Sequence, residues 1–371
     1  MMRSEARRFL QKECTSAVVR SVLESDKPFD ERLWKAICAM GWPGVALPEQ
    51  YGGLGAGYLE LCVMAEELGR SLAPIPFSSS MFLAAEAIMR GGSDAQKAEW
   101  LPKLASGESI GTLALGEGPG AAAWEKCGAG AERAGSGFVV TGVKWPVADG
   151  MAADVAVVPA KDSHGLALYL VKLDQPGVER CLEPSFDESR PQGRITFKAA
   201  AAERLAMSDL ATLEDVINRA AILYSFEQLG GAEASLNMAV AYAKDRYAFG
   251  RPIGSFQAIK HKLAELYAQL ELARSNCYFG AWTLSTDDAT LPEAAACARL
   301  GASRIYFECA KECIQVHGGI GFTWAFDAHL HYRRSKVLSA VIGGQTRWRE
   351  TLIRALERKN CTSQSDHSRV A

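Results

Sequence analysis

The chain has 371 residues, 48% of them hydrophobic, enough to bury a substantial core and to build two or three domains. Its 41 basic and 43 acidic side chains are interspersed and leave a formal net charge of -2, which excludes the basic footprint of a protein that binds nucleic acid or an anionic membrane. No apolar run approaches the roughly 20 residues of a membrane span, and the N-terminus lacks the apolar core of a signal peptide, so the expected location is the cytoplasm.

Residues 1–110 read as an N-terminal helical domain. Positions 9–23 are periodic, and Pro28 and Asp30 open a helix through Leu33, Trp34, Ile37 and Met40 that Gly41 stops. Residues 41–55 hold too much Gly and Pro for helix or strand and predict an ordered turn series. Helix resumes from Leu59 to Gly69-Arg70, with the glycine read as a helix stop, and again over 81–89 and 94–104. Residues 111–203 change texture: short runs rich in Val, Ile, Phe and Tyr (138–140, 155–158, 166–171, 194–197) alternate with turn residues. The runs are too closely spaced for parallel crossovers, which predicts a small antiparallel β-barrel or sandwich.

Residues 204–358 are helical again. Ile259, Leu263, Leu266, Leu270, Ala273 and Cys277 step by four and three, the seam of a packed helix. Helices near 209–245, 255–285, 292–316 and 337–358 predict a C-terminal four-helix bundle, and the polar residues 359–371 a disordered tail. Gly230-Gly231 inside the first of these helices costs stability, which a close backbone approach would offset. The fold class expected is mainly α with a central β domain. The 10 cysteines show no Cys-x-x-Cys pair, so Cys309 and Cys313, at i,i+4 near His329 and His331, read as packing residues and no metal site is expected.

Residues 244–257 join two long helices. Arg246 closes the first; Gly250, Pro252 and Gly254 make a tight connection, and Ser255 is placed to cap the second just before Gln257. A guanidinium and an amide held at fixed separation suit a pyrophosphate and its ribose, although a plain helix-helix turn with a basic helix end has the same residues. At the end of the third helix, Gln315 stands beside Gly318, Gly319 and Gly321, glycines that would let backbone approach a phosphate or ribose.

In this order the motifs resemble the acyl-CoA dehydrogenase family over nearly the whole chain. They are Pro48-Glu-Gln-Tyr-Gly-Gly-Leu-Gly55, Glu66-Glu-Leu-Gly-Arg70, Gly142-Val-Lys with Asp149-Gly150 and Ala153-Asp154, Arg246 with Phe249-Gly250 and Phe256-Gln257, and Gln315-Val-His-Gly-Gly-Ile-Gly-Phe322. The resemblance implies FAD held between subunits of a dimer or tetramer. Arg246, Phe249 and Gln257 would contact it on the pyrophosphate and adenine side, and Gln315, Gly318 and Gly319 would clamp the adenosine half of a neighbour's cofactor. Leu115 and Ala148 would face the ring. Electron-transfer flavoprotein is the implied acceptor.

Family members take a proton from Cα of an acyl-CoA thioester with a carboxylate base while a hydride leaves Cβ for the flavin. The two family positions for the glutamate base fall at Ala220 and Ile342, and neither accepts a proton. Asp149, Glu117 and Glu227 remain weak candidates, with Glu214 and Asp215 weaker still, as acidic residues of a first helical turn. The ring-side loop reads Leu113-Ala-Leu-Gly-Glu-Gly-Pro-Gly120, and Pro146-Val-Ala148 lacks the hydroxyl expected near the flavin. The family's acid after Gly-Phe-x-x is replaced by Ala325. Residues that would reach a neighbour's FAD are kept, and those completing the chain's own pocket are lost. This pattern predicts a heteromeric enzyme whose base belongs to a paralogous partner, as in some bacterial enzymes acting on steroid side chains. Gly230-Gly231 and the small residues at 220–221 would leave room for a bulky acyl group. A homo-oligomer with a non-standard base, an oxygen-using flavin enzyme of the same fold and a non-catalytic structural subunit are the alternatives.

Overall fold

The computed structural model describes residues 2–118, 124–135 and 137–367. Pro119 and Gly120 of the ring-side loop and residues 368–371 of the tail lie outside them. The predicted helix over 9–23 is two helices, α1 (Met2–Glu13) and α2 (Ser16–Leu23), because Thr15 takes an extended conformation (φ -75°, ψ 166°) at the start of the second. α3 (Glu31–Ala39) begins on Asp30, whose carboxylate accepts from the Leu33 amide at 2.6 Å, and ends before Gly41 at φ 72°. The segment over 41–55 is an ordered turn series, with a short 3-10 turn at Glu49–Tyr51.

α4 (Tyr58–Arg70) ends at Arg70, as expected, but Gly69 is itself helical and does not cap it. A Cβ there would lie 1.9 Å from the carbonyl oxygen of Glu227, so the glycine exists for a helix crossing. A π-helical stretch, Ser78–Ala85, leads into α5 (Glu86–Gly91), and α6 (Asp94–Ser106) opens on a capping box between Ser93 and Gln96.

The middle region holds β1 (Gly111–Leu113), β2 (Gly130–Ala134), β3 (Gly137–Ala148), β4 (Val155–Asp162), β5 (Gly165–Lys172), β6 (Val178–Glu183) and β7 (Gln192–Arg204). Pairing runs β4-β2-β3-β7-β5, and β5 returns to β4, so the sheet closes into a small barrel with β1 and β6 attached. Most pairs are antiparallel, as expected. The exceptions are β1 with β4 and the contact of β2 with β4, both parallel. Neighbours in sequence make the antiparallel hairpins, whereas these two pairs join strands separated by the β2–β3 hairpin or by β3, which is long enough for a parallel return.

The C-terminal region begins with α7 (Leu210–Asp245), capped by Asp209 on the Thr212 amide at 2.8 Å. A two-residue hairpin, β8 (Tyr247–Ala248) and β9 (Arg251–Pro252), leads to α8 (Gln257–Thr286), followed by α9 (Leu291–His317). Leu263, Leu266, Leu270, Ala273 and Cys277 of the predicted seam are buried. The fourth predicted helix is two, α10 (Ala328–Ala340) and α11 (Gln345–His367), broken over 341–344 where Gly343 takes φ 95°. The bundle thus has one helix more than expected. With no Gly or Pro between Gln345 and His367 to stop it, α11 also continues into the segment expected to be a disordered tail.

α4 and α7 cross backbone to backbone. A Cβ on Gly230 would sit 1.8 Å from the Glu66 carbonyl oxygen, and one on Gly231 would enter the Tyr306 ring at 2.3 Å. The close approach expected of these glycines is present. The room expected for a bulky acyl group is not, since helix backbone and an aromatic ring fill the space and Ala220 and Ala221 are fully buried. Cys309 and Cys313 are buried in α9, their thiols pushed up to about 12 by burial.

Candidate functional site

α7 and α9 end side by side. The Tyr242 ring lies 4.1 Å from His317, which in turn lies 4.4 Å from Phe326, and His317 Nδ1 donates to the Cys313 carbonyl at 2.7 Å. This packing carries Arg246, one turn beyond Tyr242, and Gly318, the next residue after His317, to the same end of the bundle. Arg246 is tied through its backbone, its amide donating to Tyr242 and its carbonyl accepting from Ile253, both at 2.8 Å. A Cβ on Gly254 would meet the Ala243 carbonyl oxygen at 2.9 Å, which holds the hairpin against α7.

Arg246, Gln257 and Gln315 are all exposed, and among the described residues their side chains make no hydrogen bond or ion pair. Phe249, at the hairpin tip with φ 52°, is 95% exposed. Nothing lies within 4 Å of a Cβ placed on Gly318 or Gly319, so their peptide edge is open. Unspent guanidinium and amide donors beside open backbone suit a diphosphate and a ribose. The corner therefore fits the adenosine-diphosphate half of FAD. Ser255 does not cap α8 as expected: its hydroxyl donates to the Pro252 carbonyl at 2.7 Å, and Phe256 holds the cap position without a side-chain bond.

The ring side is less equipped. Leu115 lines a cleft of about 340 Å³ between the barrel and α10, with Gly116, Pro146, Phe186, Lys336 and Val341. The walls are mostly apolar. Ala148 is buried and brings no hydroxyl.

Both positions at which a base was expected are closed. Ala220 and Ile342 are fully buried, Ile342 in the break between α10 and α11. Glu117 is a loop pin: Lys144 Nζ at 2.6 Å and the amides of Gly128 (2.6 Å) and Ala129 (3.0 Å) donate to its carboxylate. Partial burial pushes its carboxyl up, but these donors outweigh it and hold the group at about 2, ionised and engaged. Glu214 is exposed, and Asp215 pairs with Arg90 and Arg219 at 2.8 and 3.0 Å; both lie just past the first turn of α7.

Asp149 and Glu227 come together in a buried charge lattice. Asp149, a turn residue at φ 52°, accepts from Arg190 through Nε (3.1 Å) and Nη2 (2.7 Å) and from the Ser79 hydroxyl (2.7 Å). Glu227 accepts from Ser78 at 2.7 Å and faces Arg190 at 3.6 Å and Arg334 at 3.9 Å. Arg334 also donates to Asp187 and, at 2.9 Å, to Ser189. Burial pushes the Asp187 carboxyl up, but Arg334 and Ser189 hold it below its ordinary range. Tyr224 fills the neighbouring space, edge-on to Phe82 at 5.4 Å. Sequence reasoning singled out Asp149 and Glu227 but missed Arg190, Arg334, Asp187, Ser78, Ser79 and Tyr224. The serine run at 78–80 and the polar cluster at 185–190 were visible, but no spacing links either to position 149 or 227.

The sequence profile of the acyl-CoA dehydrogenase N-terminal domain matches residues 1–108, and that of the C-terminal domain residues 210–356. Acyl-CoA dehydrogenase IpdE2 of Mycobacterium tuberculosis is 32% identical over 336 residues, covering 90% of this chain and 90% of that protein. The chain belongs to the acyl-CoA dehydrogenase family. It is an oxidoreductase of a family that depends on FAD. Acyl-CoA dehydrogenase FadE27 of the same organism is also 32% identical, with 90% of each chain covered. A variant of the Tcur3481-Tcur3483 steroid acyl-CoA dehydrogenase superposes with a TM-score of 0.89 at 31% identity, covering 97% of this chain and 98% of that one. The ChsE4-ChsE5 complex from M. tuberculosis gives 0.89 at 28%, with 96% of each covered. Among the described residues no helix is long and apolar enough to cross a membrane.

Proposed function

We propose that this chain is the subunit without a base in a heteromeric, FAD-dependent acyl-CoA dehydrogenase that forms 2-enoyl-CoA from a saturated acyl-CoA thioester. The observation that carries this reading is the contrast between its two polar regions. Asp149 and Glu227, two of the carboxylates considered as bases, are buried in an arginine lattice, while among the described residues the side chains of Arg246, Gln257 and Gln315 stand exposed with no hydrogen bond or ion pair. A general base must reach the proton it removes, and Asp149 and Glu227, 1% and 2% exposed, face serine and arginine side chains inside the protein.

In this reading Arg246 and Gln257 hold the cofactor's diphosphate side, Phe249 covers it, and Gln315 with the Gly318-Gly319 edge holds the adenosine. The bound flavin supplies the redox chemistry, with electron-transfer flavoprotein as acceptor. The glutamate base and the acyl pocket belong to a paralogous partner chain. The steroid acyl-CoA dehydrogenase and the ChsE4-ChsE5 complex among the similar structures support a heteromer acting on a bulky acyl group. Because α4, Tyr306 and Tyr224 fill the corresponding space here, that bulk is accommodated by the partner.

The test is anaerobic titration of the purified chain, supplied with FAD, by a panel of saturated acyl-CoA thioesters while flavin absorbance is followed. The chain alone is expected not to bleach, and to gain bleaching when co-expressed with a paralogue that carries glutamate at either base position. Bleaching by the chain alone would establish a self-sufficient enzyme and send attention back to Asp149, Glu117 and Glu227. Flavin content of the complex unchanged by Arg246→Ala would point instead to a structural subunit, and oxygen consumption without another acceptor to an oxidase.

A further inference from the structure

The segment between α9 and α10 carries the open Gly318-Gly319 edge and is anchored at both ends. At its near end His317 is packed between Tyr242 and Phe326. At its far end the anchor comes from the N-terminal region, about 300 residues away in sequence. Arg20, on α2, donates to Asp327 Oδ1 through Nε (3.0 Å) and Nη2 (2.8 Å), and Nη2 also donates to the Trp324 carbonyl at 2.7 Å. Trp324 Nε1 in turn donates to Glu24 Oε1 at 2.8 Å, one helical turn on from Arg20. His329 stacks on the Trp324 ring at 4.7 Å, and Arg333 lies over it at 5.2 Å. Between the anchors a 3-10 turn, Gly318–Phe322, packs Gly321 against α9, where a Cβ would lie 2.7 Å from the Ile314 carbonyl oxygen, and leaves Ile320 53% and Phe322 87% exposed.

We infer that Arg20 is a positioning residue for the cofactor loop, through which α2 sets where the Gly318-Gly319 edge stands relative to Arg246. The inference rests on the cofactor reading proposed above. A turn holding Gly318, Gly319 and Gly321 has more backbone conformations open to it than one built of other residues, and a site that reads a ribose or phosphate through backbone needs one of them. A guanidinium suits this anchor because its fork engages a carboxylate and a carbonyl at once, which an ammonium cannot do with the same geometry. Arg20 is only 18% exposed, so its bonds are less screened than those of a free surface pair.

Two readouts test it, both on the full chain in the assembly in which it purifies. Amide hydrogen exchange of residues 318–327 is expected to quicken in Arg20→Ala by about tenfold, and the Kd for FAD to rise by about fivefold, with the far-UV circular dichroism unchanged. Asp327→Asn should reproduce both effects, Arg20→Lys should restore part of each, and the exchanged pair R20D/D327R should recover protection. Unchanged exchange in Arg20→Ala overturns the clamp. Faster exchange with unchanged FAD affinity overturns the positioning role and leaves a structural bond. A wild-type assembly that binds no FAD overturns the cofactor reading and this role with it, while the exchange comparison still decides whether the clamp exists.

Discussion

Glu86 shows how one buried side chain sets a pH dependence that its own letter in the sequence does not announce. Burial in α5 pushes its carboxyl up to about 7; Arg219, the Tyr58 hydroxyl at 3.1 Å and Arg90 oppose the rise, and Asp215 adds to it. The unfolded chain returns the group to its ordinary value of 4.5. A raised carboxyl contributes stability that is complete below the unfolded value and is lost as pH climbs through the folded one. Glu86→Gln is therefore expected to raise the thermal midpoint at about pH 8, by the equivalent of at most about 3 kcal/mol, and to change little at about pH 4.5. Parallel curves for wild type and variant across that window would show that Glu86 is not the titrating group. Glu117 behaves in the opposite way, since Lys144 and two amides keep it ionised. Residue type alone did not separate these two glutamates, because the difference is made by neighbours brought from elsewhere in the chain.

At the level of elements, α4 and α7 cross backbone to backbone. Gly69 and Gly230 face each other's helix backbone, so each position admits only a hydrogen in place of a side chain. Gly230→Ala is expected to destabilise the protein by about 3 kcal/mol or more, since the methyl would overlap a carbonyl oxygen that two helices hold in place. Chemical denaturation reads this directly; a loss below about 1 kcal/mol would mean that the helices separate easily. The helices themselves were legible from periodicity and start signals, as with Asp30 and the α8 seam. Their ends were less so. Gly69 has the residue type of a helix stop and sits inside a helix, because what it answers is a neighbouring backbone and not its own chain direction. The break at 341–344 was missed for the converse reason: its signal, Gly343-Gly344, lay within a run apolar enough to continue a helix pattern.

For the whole molecule, the charge lattice is the joint between regions. Ser78 and Ser79 come from the N-terminal helices, Asp149, Asp187 and Arg190 from the barrel, and Glu227 and Arg334 from the bundle. Such a joint makes the three regions unfold together, because removing one member strands a buried charge. Asp149→Ala is expected to cost about 3–5 kcal/mol and to split a single calorimetric transition into two. A single transition at nearly the wild-type midpoint would mean that the lattice does not couple the regions.

Local chemistry was enough to determine the order of the three regions and the family motifs, and it singled out Arg246, Gln257 and Gln315, since these depend on periodicity, turn residues and short spacings within one stretch of chain. That alanine and isoleucine stand at 220 and 342, where the family resemblance leads one to expect a glutamate, was equally legible. The tertiary structure alone decided what became of the remaining carboxylates, that Gly230-Gly231 opens no pocket, and that α2 reaches the Gly318-Gly319 loop through Arg20. Each of these depends on groups separated by tens to hundreds of residues, whose approach is set by helix packing and barrel closure, and no local pattern carries that information.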